Sequence, residues 1–174
     1  MAGIGAFLIA TKSYRLRRIT GFLDPWADPL DSGFQLIQSL IAFGTGGIFG
    51  RGLGNSKQKL FFLPESHSDF IFSIIAEETG FVGVAIVTGL FLVLAFKGIR
   101  IALECENDFG RNLAFGITIM IVLQSLFNIG VVVGLLPTKG IPLPFISYGG
   151  SSLVVNMLMI GVLVNISGGG KPKS

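Results

Sequence analysis

Apolar residues come in runs along this chain, and the lengths of the runs separate membrane-crossing helices from everything else. Leu113 to Leu136 supplies about 24 mostly apolar residues, and about 20 suffice for a helix to cross a hydrocarbon core. Within this run Gln124 and Asn128 stand one helical turn apart on one face, so both amides are predicted to face protein rather than lipid. Phe70 to Ile75 is apolar, Glu77 and Glu78 interrupt, and Phe81 to Phe96 resumes as far as Lys97. That pattern predicts an oblique lead-in helix followed by a full span, with the Lys97 stem reaching back to the interface. Ser151 to Ile166 reads as a shorter span carrying Asn156. Met1 to Ala10 is apolar, too short to cross a bilayer and without the basic start of a signal peptide, so it reads as the end of a span. Residues 11–69 are mixed and rich in Gly, Pro and charge, with one amphipathic stretch at Phe34 to Phe43. The predicted fold is an all-α integral membrane protein, a multi-span helical bundle made of the end of one span plus three full spans, with a long extracytoplasmic loop.

Composition agrees with a single membrane domain, since hydrophobic residues make up 51% of the 174 and charged residues 13%. Cys105 is the only cysteine, which excludes an internal disulfide or a cysteine-based metal centre. The basic residues crowd into Lys12, Arg15, Arg17, Arg18, Arg51, Lys57 and Lys59. Lys171 and Lys173 favour the tail as cytoplasmic, and three spans then put the basic loop outside, against the usual bias. A polyanionic or phosphorylated lipid substrate would explain that placement. Nucleic acid is a poor partner for a chain so apolar.

Candidate chemistry gathers at Leu60 to Phe72, where a proline turn puts Glu65, His67 and Asp69 at the edge of an apolar helix. Ser68 or Asp69 is a good N-cap for that helix; partly desolvated, Asp69 would also suit the work of a general base. Asp69, Glu77 and Glu78 are the carboxylates available to hold a divalent cation such as Mg or Mn. The glycine-rich run from Gly44 to Ser56 matches neither nucleotide fingerprint, though its turns can aim amides at an anion beside Arg51, Lys57 and Lys59. Residues 136–152 join two spans with three prolines and Lys139. Such irregular backbone suits the wall of a polar cavity, or an ordinary surface loop.

Tyr14-Arg-Leu-Arg-Arg, Asp24-Pro-Trp-Ala-Asp-Pro, Gly33-Phe-Gln-Leu-Ile-Gln-Ser-Leu, Gly52-Leu-Gly-Asn-Ser, Leu63-Pro-Glu-Ser-His-Ser-Asp-Phe-Ile-Phe, Leu136-Pro-Thr-Lys-Gly and Ile146-Ser-Tyr-Gly-Gly-Ser-Ser together resemble the SEDS family (shape, elongation, division, sporulation), its division branch above its elongation branch. The resemblance implies the C-terminal part of a ten-span protein: residues 1–10 end span seven, 11–69 form the large external loop, and 70–97 hold the lead-in helix and span eight. Span nine is then 113–136, an external loop 137–150, span ten 151–166, and a cytoplasmic tail 167–174. It further implies a peptidoglycan glycosyltransferase in the bacterial inner membrane at the division septum, polymerising lipid II beside a class B penicillin-binding transpeptidase and other division proteins. The family's essential aspartate falls on Asp69. Arg51, Lys57, Lys59, Glu65, Ser68, Lys139 and Ser147 are then candidates for substrate binding. A transporter flipping lipid-linked precursors would use the same basic loop with Gln124 and Asn128, and a scaffold would use the loop only to recruit partners.

Overall fold

The computed structural model describes residues 21–29, 33–54, 69–138 and 140–169. Among them there is no strand; a short 3-10 turn at Pro25–Ala27 is followed by four helices, α1 Phe34–Gly46, α2 Ile71–Glu104, α3 Asp108–Val132 and α4 Gly150–Gly169. The last three are long and apolar enough to cross a membrane. The stub at Met1 to Ala10 and the basic tail at Lys171 and Lys173 lie outside the described residues.

Local chemistry sets ends that hydropathy alone misplaces. Helix α2 continues past Lys97 to Glu104, where an Arg100–Glu104 ion pair spans its last turn. Helix α3 begins at Asp108, before the apolar run, because the Asn107 side chain accepts from the Phe109 amide at 3.0 Å and supplies an N-cap. It stops at Val132, short of Leu136, because Gly134 takes a left-handed φ of 78°. The Leu135 amide then donates to Gly130 O at 2.7 Å and the Gly134 amide to Val131 O at 3.1 Å, the paired bonds that close a helix on a glycine.

Two apolar clusters show how the helices run. Phe70 and Phe72 of the α2 start pack with Val131, Val132 and Leu143. At the other end Ala102 of α2 packs with Ala114, Ile117 and Ile121 of α3 and Leu163 of α4. Successive long helices are therefore antiparallel, and one end of the bundle collects the start of α2, the end of α3 and the loop into α4. Helix α1 packs at that same end. Its Ser39 hydroxyl donates to Val132 O at 2.7 Å, and the Phe43 and Phe72 rings lie 6.0 Å apart. The stretch expected as loop thus holds a helix docked on the bundle.

Helix α2 is broken at Gly80, whose φ of 67° and ψ of −161° are not helical. The break strands the carbonyls of Glu77 and Glu78 and the amides of Phe81 and Val82, which would have bonded one another in a regular helix. The turn after α1 takes up all four. Arg51 N donates to Glu77 O and Gly52 N to Glu78 O, both at 3.0 Å, while Phe81 N donates to Gly47 O at 2.9 Å and Val82 N to Ile48 O at 3.2 Å. The glycine-rich run is therefore a splice that mends a broken helix, and the amides of Arg51 and Gly52 are not available to an anion. The backbones approach closely enough that a Cβ on Gly50 would sit 2.1 Å from Glu78 O, and one on Gly80 would sit 2.4 Å from Gly50 N.

Candidate functional site

Asp69 is half-buried, immediately ahead of α2. The N-cap position falls on Phe70, which has no side-chain acceptor. The Ser73 hydroxyl donates to Phe70 O at 2.7 Å, a bond that occupies a carbonyl and caps none of the first-turn amides. The main-chain carbonyl of Asp69 points to α3, where Asn128 Nδ2 donates to it at 2.8 Å. The same nitrogen donates to Ile141 O at 2.7 Å. One turn earlier, Gln124 Nε2 donates to Pro142 O at 2.9 Å. The two amides that interrupt the apolar face of α3 therefore do face protein, and they pin consecutive carbonyls of the proline-rich loop.

The loop itself has little regular bonding and is held by special backbone. Gly140 has φ 65°, and a Cβ placed on it would lie 3.1 Å from Asp69 Oδ2. The Asp69 carboxylate thus stands beside Gly140, on the side where a side chain would project. Phe145 has φ 66°, a left-handed conformation rare for a side chain of this size. Its ring packs on the Ala102 and Leu163 cluster, and packing of this kind is what sustains such strain. Ser147 Oγ accepts from Leu143 N at 2.7 Å, and Ser147 N donates to Leu143 O at 3.0 Å. The Ser147 hydroxyl, a candidate substrate contact, is engaged in closing this turn.

Arg51 Nη1 lies 3.6 Å from Glu77 Oε1, with the arginine side chain 39% exposed and the glutamate 1%. Part of the Arg51 charge is committed to that buried carboxylate. Among the described residues no three His, Cys, Asp or Glu side chains gather as a metal site. Asp69, Glu77 and Glu78 therefore do not form the joint cation site expected from sequence, because Glu77 turns to Arg51 two helical turns away. Lys57, Lys59, Glu65, His67, Ser68 and Lys139 lie outside the described residues. Asn128 and Gly140 were not among the site residues expected from sequence; the signal was an amide pair in an apolar helix facing a Pro-Gly loop.

The profile of the FtsW, RodA and SpoVE family of cell cycle proteins matches residues 2–171. The chain belongs to this family. It is 59% identical over 161 residues to a probable peptidoglycan glycosyltransferase FtsW of Geobacter sp. (strain M18), covering 92% of this chain and 44% of the relative. Stage V sporulation protein E of Bacillus subtilis (strain 168) is 53% identical over 169 residues, 96% of this chain and 46% of that protein. The chain thus spans less than half the length of these curated relatives. Among solved structures it matches a peptidoglycan synthase complex, described as coordinating polymerization and crosslinking, with a TM-score of 0.68 and 35% identity over 94% of this chain and 47% of that one. A Thermus thermophilus rod shape determining protein RodA, solved as an aspartate-to-alanine mutant, matches with a TM-score of 0.60 and 32% identity over 86% of this chain and 45% of that one. Both solved structures share this arrangement of helices.

Proposed function

We propose that this chain carries the catalytic aspartate of a peptidoglycan glycosyltransferase that polymerises lipid II during septal wall synthesis in the bacterial inner membrane. Its three long helices correspond to spans eight, nine and ten. A class B penicillin-binding transpeptidase and other division proteins are the partners in this proposal. The observation that carries the reading is the position of Asp69. It is a carboxylate at the mouth of a membrane helix, beside a proline-rich loop whose Lys139 is the neighbour of Gly140 in sequence.

In the proposed reaction Asp69 removes the proton from the 4-hydroxyl of the acceptor sugar. The freed oxygen attacks the donor's anomeric carbon, the bond from that carbon to pyrophosphate breaks, and polyprenyl pyrophosphate leaves with inversion. The proton on Asp69 then passes to water. One base suffices, because the leaving group departs as an anion and needs charge stabilisation rather than an acid. Arg51, Lys57, Lys59 and Lys139 are the cations proposed for that role, with Glu65, Ser68 and Ser147 as further substrate contacts.

The decisive experiment is Asp69→Asn in the complete protein reconstituted in vesicles. Glycan polymerisation from labelled lipid II should disappear while the protein level in the membrane is unchanged. Full retained polymerisation would overturn the assignment, and lost movement of labelled lipid across the vesicle with polymerisation intact would favour a transporter.

A further inference from the structure

We infer that Asn128 is a positioning residue for Asp69: its carboxamide ties the backbone of the base to the loop beside the base's carboxylate, and so sets where the carboxylate stands. The inference rests on the reading of Asp69 as the general base.

Asn128 is 1% exposed and lies on α3, one turn from the helix end. Both hydrogens of its Nδ2 are spent, one on Asp69 O at 2.8 Å and one on Ile141 O at 2.7 Å. Both acceptors are carbonyls, so the nitrogen, and not the oxygen, must face them. The two acceptors belong to segments 59 and 13 residues distant in sequence from Asn128, and neither lies in a helix. The Asp69 carbonyl stands outside the α2 ladder, because the Ser73 amide that would reach it turns to Phe70 O at 3.0 Å. Without Asn128 that carbonyl loses the donor that aims it.

On its far side the clamp reaches the residue after Gly140, and Gly140 is the position whose Cβ would come within 3.1 Å of Asp69 Oδ2. One amide therefore holds both the main chain that carries the carboxylate and the main chain beside it. The arrangement also carries a cost. Asn128 Oδ1 is inaccessible to solvent and has no hydrogen-bond partner among the described residues. A buried acceptor left in that state is unfavourable, and an apolar side chain of similar volume would fill the space without it. Packing alone does not account for an asparagine here; its two donors do. A general base has to stand within hydrogen-bond reach of the proton it takes, and a displacement of about 1 Å can cost on the order of a hundredfold in rate.

The test uses the complete protein in vesicles with labelled lipid II. Asn128→Leu keeps the volume and removes both donors. Turnover should fall by roughly 10- to 100-fold while KM for lipid II stays within about twofold, because Asn128 acts on the base and not on the substrate. Turnover within about twofold of wild type, or a loss confined to KM, would overturn the inference. Gly140→Ala reaches the same carboxylate from the other side and carries the test should Asn128→Leu fail to accumulate in the membrane, with the same split expected. Asp69→Asn is run alongside. If it is inactive while both other variants keep full turnover, only the positioning role fails; if it stays active, the base assignment fails and the positioning role with it.

Discussion

The main-chain amide of Arg51 donates to the carbonyl of Glu77 at 3.0 Å, filling the place that the amide of Phe81 would hold in an unbroken helix. Phe81 donates instead to Gly47 O at 2.9 Å. A helix interrupted near a membrane would otherwise leave polar backbone without partners, which bilayer surroundings do not tolerate. The interruption at Gly80 survives because a second segment supplies the missing half of each bond.

The splice should be intolerant of side chains. Gly80→Ala forces a residue with a Cβ into φ 67° and brings that atom within 2.4 Å of Gly50 N. Strain and overpacking together are expected to cost about 2–5 kcal/mol, and Gly50→Ala should behave alike. Thermal unfolding of the detergent-solubilised protein is the measurement, and a midpoint equal to wild type would rule the splice out as a structural requirement.

Arg51 and Glu77 are also joined by their side chains at 3.6 Å. With the carboxylate buried and the guanidinium partly exposed, Arg51→Ala should cost about 1–3 kcal/mol, below the range for fully buried pairs. The same substitution should cost less in a Glu77→Gln background, where no anion needs balancing. A double-mutant cycle reads the coupling directly, and strictly additive effects would mean the pair contributes nothing.

Helices α2 and α3 approach closely where Gly98 meets Thr118. A Cβ on Gly98 would stand 2.2 Å from Thr118 Oγ1, which itself donates to Ala114 O at 2.7 Å. Small residues let membrane helices approach in this way. Gly98→Ala should therefore destabilise the bundle by about 1–3 kcal/mol, and Thr118→Ala should restore part of the loss. No recovery in the double variant would place the strain elsewhere.

Much of the architecture was legible because its physics is one-dimensional. The run from Leu113 onward is long enough for a span, and its two amides one turn apart had to face protein, which the bonds of Gln124 to Pro142 and Asn128 to Ile141 bear out. Helix ends were less legible, because Asn107 and Gly134 act through single capping bonds that a hydropathy window averages away. Helix α1 covers the amphipathic stretch read as part of a loop and runs on to Gly46, since its docking depends on Ser39 and Phe43 meeting residues far along the chain.

Local motif and family resemblance single out Asp69 as the proposed base, but its relation to Gly140 and Asn128 is not legible in the sequence. Sequence spacing carries no information about which residues meet across 59 or more positions when the intervening backbone is irregular. The glycine-rich run shows the same limit: its composition is compatible with an anion site, yet the amides of Arg51 and Gly52 are spent on the carbonyls of Glu77 and Glu78. The chain by itself determined which segments enter the membrane, because burial in lipid depends on the length and polarity of each run. Only the tertiary structure decided which backbone groups those segments complete for one another, because hydrogen bonds between distant, non-helical carbonyls and amides exist only once the helices have packed.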